Sequence, residues 1–142
     1  MPFRPGAREL LQSLRDAGVR TALVTMSLRR MAEDIVDLIG FEAFDVIVGG
    51  DDVERPKPFP DPYLQAAEEL GVDIHRTVAL EDSPTGLRAA IASRAVAIGV
   101  PHFVPLHDLG ADAIWDTLDG CDADDIAAEF TRARAARTAV HA

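Results

Sequence analysis

Short continuous apolar runs alternate along this chain with stretches whose apolar residues keep helical spacing. Leu10, Leu11, Leu14 and Ala17 recur at three and four residues after Pro5-Gly6-Ala7, which predicts a helix closed at Gly18. Val19–Thr25 reads as a buried strand. Ser27 is placed to cap a second helix with Met31, Ile35, Leu38 and Ile39 on its inner face and Gly40 at its end. Phe44–Val48 reads as a second strand, closed by Gly49-Gly50.

The segment Arg55-Pro-Lys-Pro-Phe-Pro-Asp-Pro62 carries proline at alternate positions. It is therefore neither helix nor central strand, but a stiff loop that fixes Lys57 in space. Asp61 is expected to cap a helix through Tyr63, Leu64, Ala67 and Leu70, stopped by Gly71. Thr77–Glu81 reads as a strand followed by a helix from Pro84 to Ser93. Ala95–Val100 is a further strand, 101–105 a loop and Ala111–Trp115 a short edge strand. From Asp122 the pattern is helical, with Ile126, Ala127 and Phe130 inward and Arg132, Arg134 and Arg137 near the carboxyl end, where they suit the helix dipole. Strands alternating with helices imply an α/β fold with a parallel sheet and right-handed crossovers. No repeat or linker divides the 142 residues, so 1–142 reads as one domain.

Three polar sets follow three of these strands: Thr25-Met26-Ser27, Lys57 after its longer loop, and Glu81-Asp82-Ser83. Strand carboxyl ends share one edge of a parallel sheet, where such folds place ligands. Adjacent carboxylates after a buried strand are costly unless a cation, metal or lysine, meets them. A hydroxyl, an ammonium and a carboxylate pair together suit phosphate chemistry: lysine neutralises phosphoryl oxygens, hydroxyl and helix-start N–H groups donate, and carboxylates hold Mg²⁺. Each element alone is weak, since Thr25 reads as an ordinary strand-end or capping hydroxyl and helix capping is an alternative for Glu81 and Asp82; the ordered set carries the weight.

Charge narrows the partners. With 24 acids against 14 bases the net charge is −10, which argues against nucleic acid and anionic membrane. Lys57 is the single lysine among those 14 bases, a compact point charge in a chain that otherwise uses arginine. One cysteine, Cys121, excludes an internal disulfide and a cysteine zinc cluster. His75, His102, His107 and His141 lack metal spacing, and Asp51-Asp52 reads as a solvated turn. No signal peptide or membrane-length apolar run is present, so a cytoplasmic location is expected.

Leu23-Val24-Thr25-Met26-Ser27, Lys57 within Lys-Pro-Phe-Pro-Asp-Pro-Tyr, and Leu80-Glu81-Asp82-Ser83-Pro84-Thr85-Gly86 resemble the second, third and fourth motifs of haloacid dehalogenase-like hydrolases. The branch they resemble is that of β-phosphoglucomutase-like and phosphoglycolate-phosphatase-like enzymes. The resemblance implies a Rossmann-like sheet of order 5-4-1-2-3 with helices on both faces. It also implies an Mg²⁺-dependent phosphatase or phosphomutase of small phosphorylated metabolites working through an aspartyl-phosphate. Carried over, Thr25 and Lys57 are catalytic, Thr25, Met26, Ser27 and Lys57 bind the phosphoryl group, and Asp82 with Glu81 holds the metal.

The family's first motif, Asp-x-Asp-Gly-Thr, is absent from these residues, as is the cap domain. Asp122-Ala123-Asp124 follows no apolar strand and reads as helix capping. Arg94 stands where the family often has glycine; a left-handed backbone there costs roughly 1 kcal/mol. Without the first strand, the strands ending at Thr25 and Glu81 face a gap. They are expected either to close on each other or to take pairing from a partner chain or a second copy. Little turnover is expected from this chain alone. A degenerate member that binds a phospho-ligand or a protein is the alternative. A phospho-acceptor receiver domain is disfavoured, because its acids come first and its lysine last.

Overall fold

A computed structural model describes residues 5–102 and 104–141, with side chains to residue 137. Phe103 and the His141 side chain, both within stretches read above, lie outside the described residues. The strands are β1 (Ala22–Val24), β2 (Val46–Val48), β3 (Val78–Glu81), β4 (Val96–Gly99) and β5 (Ala113–Ile114). The helices are α1 (Ala7–Asp16), α2 (Arg29–Asp37), α3 (Asp61–Leu70), α4 (Pro84–Ser93) and α5 (Ala123–His141). Each falls where the apolar pattern puts it, although β1 and β2 are shorter than their apolar runs.

All strand pairing is parallel, and it forms two sheets, β1-β2 and β3-β4-β5. β1 and β3 share no ladder, so the expectation that they close directly on each other is not met. α1 buries Leu10 and Leu14 with Ile98, Val100 and Leu118 on one face of the larger sheet. On the other face Tyr63 of α3 and Leu87, Ala89 and Ala90 of α4 pack with Ala79, Ala97 and Leu106. Alternation along β4 sends Ala97 to one layer and Ile98 to the other, so the strand is buried throughout.

Several local details differ from expectation. α2 is not capped by Ser27: its N-cap is Leu28, and the Arg29 N–H is accepted by Asp51 Oδ1 at 2.8 Å. Asp52 Oδ2 accepts from the Gly49 N–H and pairs with Arg29, so Asp51-Asp52 ties the end of β2 to α2 rather than forming a merely solvated turn. Met31 and Leu38 face outward; Ala32 and Ile39 make the inner contact. Asp61 is the first residue of α3 and no cap; it pairs with Arg55. Ser83 caps α4 by accepting the Gly86 N–H, a role that Glu81 and Asp82 do not take.

α5 opens as a reciprocal capping box. Asp122 Oδ1 accepts the Asp125 N–H and Asp125 Oδ2 accepts the Asp122 N–H, in keeping with the capping role of this acidic run. Ala127 is exposed, not inward. The arginines of α5 do more than complement its own dipole. Arg132 donates to the Asp112 carbonyl, Arg134 to the His75 carbonyl, and Arg137 to the Arg94 and Ala95 carbonyls and the Asp112 carboxylate. Arg94 has φ 79°, the left-handed backbone anticipated for it.

Candidate active site

The carboxyl ends of β1 and β3 converge on Lys57. The proline loop carries it there with a cis Lys57–Pro58 bond, and its N–H donates to Met26 Sδ at 3.4 Å. Its ammonium donates to the Val24 carbonyl at 3.0 Å and to Glu81 Oε2 at 2.5 Å. Both side chains of that ion pair are over nine-tenths buried. Thr25 continues β1 by donating its N–H to the Val48 carbonyl, while its Oγ1 accepts the Ser27 N–H at 3.2 Å. Thr25, Met26, Ser27, Lys57 and Glu81 thus lie together at the carboxyl ends of β1 and β3.

Tyr63 joins it. Its hydroxyl donates to the same Glu81 Oε2 that meets Lys57, and its ring lies 5.3 Å from the ammonium. Burial, and then the Glu81 charge, push the phenol well above the ordinary tyrosine range. The sequence places Tyr63 on a helix face and at the end of the Lys-Pro-Phe-Pro-Asp-Pro-Tyr stretch, without a role in the site. Its signal was its place six residues after Lys57 as the chain's single tyrosine.

Gly86 was also missed as a site residue. It sits one turn into α4, where any Cβ would overlap the Glu81 carboxylate. Gly50 plays a similar part on the β1 side, where a Cβ would overlap the Met26 carbonyl and its N–H donates to the Ser27 carbonyl.

Glu81 and Asp82 part company here. Glu81 turns inward to Lys57 and Tyr63, whereas Asp82 is exposed. A hard divalent cation takes about six oxygen ligands. No group of three His, Cys, Asp or Glu residues among the described residues could hold one. Glu81 does not fit the ligand role expected of it, because its Oε2 is already shared by an ammonium and a hydroxyl.

Parallel α/β topology with an ammonium, a hydroxyl and carboxylates at the strand ends defines the class of protein. The chain belongs to the haloacid dehalogenase-like hydrolases, whose family model matches residues 2–94. It is 39% identical over 122 residues to Protein CbbY of Cereibacter sphaeroides, covering 82% of this chain and 53% of that protein. It is 35% identical over 101 residues to Hexitol phosphatase B of Escherichia coli K12, covering 70% of this chain and 46% of the relative. The crystal structure of CbbY from Rhodobacter sphaeroides in complex with phosphate superposes with a TM-score of 0.80 at 37% identity, over 87% of this chain and 58% of that one. The chain thus spans about half the length of these relatives. No helix among the described residues is long and apolar enough to cross a membrane.

Proposed function

We propose that this chain supplies the phosphoryl-binding half of a phosphatase or phosphomutase acting on small phosphorylated metabolites in the cytoplasm. The observation that carries the reading is the Lys57 ammonium, held between the Val24 carbonyl and Glu81 at the edge where Thr25 and Ser27 end β1. Phosphoryl oxygens would take hydrogen bonds from Thr25 Oγ1 and the Met26 backbone N–H, the Ser27 N–H being directed at Thr25 Oγ1, with Lys57 neutralising their charge. Tyr63 and Glu81 orient the ammonium. A hexitol phosphatase and a phosphate-bound structure among the relatives support the phosphorylated ligand.

Transfer through an aspartyl-phosphate needs a carboxylate nucleophile beside Lys57. Glu81, the carboxylate paired with Lys57, is sequestered, so the nucleophile belongs to a segment seated between β1 and β3. Magnesium enters this reading only through Asp82, as one ligand of a site completed by that segment. A ligand-binding module without chemistry is the second reading, favoured by the same sequestration of Glu81.

Hydrolysis of p-nitrophenyl phosphate separates them. The 142-residue chain is expected to show none. Fusion of a strand ending in Asp-x-Asp-Gly-Thr ahead of residue 1 is expected to restore turnover that Lys57→Met abolishes. Turnover by the chain alone, abolished by Asp82→Asn, would overturn the proposal. Phosphate binding without turnover in the fusion would favour the module.

A further inference from the structure

The outward face of α2 is apolar. Leu28, Met31 and Leu38 are 56%, 54% and 73% exposed, with Ile35 partly buried between them. Positions 28, 31, 35 and 38 recur at three, four and three residues, so they make one stripe along the helix. The helix is thus apolar on two sides: Ala32 and Ile39 are buried, while Leu28, Met31 and Leu38 of the stripe stay exposed among the described residues. Charge along it is polarised, with Arg29 and Arg30 in the first turn and Glu33, Asp34 and Asp37 after them. Arg29 is already engaged by Glu33, Asp52 and the Ile47 carbonyl. Arg30, Asp34 and Asp37, on the flank of the stripe, are exposed and make no ion pair among the described residues.

We infer that α2 is a self-association surface whose occupant is α2 of a second copy, packed antiparallel about a two-fold axis. An axis between residues 31 and 35 brings Met31 against the partner copy's Ile35 position and Leu28 against its Leu38 position. The same operation sets Arg30 of each copy beside Asp37 of the other. A parallel pairing would instead align like charges along the whole flank. The antiparallel arrangement also opposes the two helix dipoles. Because the contact is isologous, every favourable pair occurs twice. Four apolar side chains per copy make a small interface, so the dimer is a weak, dissociable one rather than obligate.

Sedimentation equilibrium of the 142-residue chain from micromolar to submillimolar concentration tests this, with far-UV circular dichroism to verify folding. The wild type is expected to show a reversible monomer–dimer equilibrium. Met31→Glu with Leu38→Glu is expected to remain monomeric with an unchanged spectrum, since both side chains are exposed. Arg30→Glu is expected to weaken association roughly tenfold by placing like charges together twice, and adding Asp37→Arg to restore it. Should the glutamate pair fail to fold, the Arg30 series decides alone. A wild type monomeric throughout, or a dimer indifferent to Met31 and Leu38, overturns the proposal. So does association unchanged by Arg30→Glu, because the charges would then not meet. A dimer held instead through the open edges of β1 and β3 would appear as the second of these results.

Discussion

Lys57 and Glu81 form a buried ion pair, Nζ to Oε2 at 2.5 Å, across the space between β1 and β3. One ammonium thereby ties together two strands that share no ladder, because its second bond goes to the Val24 carbonyl at the end of β1.

Removing one partner of such a pair costs more than the pair itself contributes, since the other charge stays buried. Lys57→Met is therefore expected to destabilise the chain by about 3 kcal/mol in urea unfolding. Lys57→Met with Glu81→Gln is expected to recover more than half of that loss. Equal losses in the single and double variants would show that the carboxylate is hydrated rather than held.

Tyr63 is the chain's one tyrosine, so its phenol can be titrated without interference. Because burial and Glu81 raise its pKa, ultraviolet titration is expected to show ionisation only above the ordinary range near 10 and coupled to unfolding. A folded-state pKa above the unfolded one means that the contribution is complete below the unfolded value. It is lost as pH rises through the folded value. Tyr63→Phe is expected to cost about 2 kcal/mol, the scale of a hydrogen bond to a charged acceptor. A normal titration in the folded state would remove Tyr63 from the cluster.

Gly86→Ala sets two effects against each other. Helix propensity favours alanine by about 1 kcal/mol. Overlap of the new Cβ with the Glu81 carboxylate costs about 1–3 kcal/mol and displaces the group that orients Lys57. A lower melting temperature is expected; a higher one would mean that Glu81 moves aside freely.

The gain from structure differs between fold and site. Strand–helix alternation and the stops at Gly18, Gly40 and Gly71 were legible because apolar period and glycine act locally. The outward turn of Met31 and Leu38 was not, because an arc of apolar residues on α2 serves two sides and periodicity cannot say which is covered. The motif residues Thr25, Lys57 and Glu81 were legible from their order after strands. The inward turn of Glu81 was not, since it depends on Tyr63 reaching over from α3 and on the missing Cβ of Gly86. The first joins two different helix–strand units, and the second depends on how closely the start of α4 approaches the end of β3.

Asp45 gives a pH test away from the site. Arg15 binds it with two hydrogen bonds, at 2.5 and 3.0 Å, and the Thr21 N–H adds a third. These hold its carboxyl below the ordinary carboxylate range, the Arg15 hydrogen bond being the largest cause. A depressed pKa means stability that is present above the unfolded value and lost as pH falls through the folded one. Asp45→Asn is expected to be less stable than wild type by a constant amount near neutrality, with the gap closing below about pH 4. A pH-independent gap would assign the loss to packing. The effect is small, because the carboxyl is over a third exposed.

The phosphoryl-binding role of the Lys57 edge is tested most directly by titrating the labelled 142-residue chain with inorganic phosphate and following its backbone amide resonances. Millimolar phosphate is expected to shift the amides of Thr25, Met26, Ser27 and Lys57, and Thr25→Val to abolish those shifts while leaving the rest of the spectrum in place. Shifts confined to other residues, or shifts at 25–27 that persist unchanged in Thr25→Val, would contradict the account.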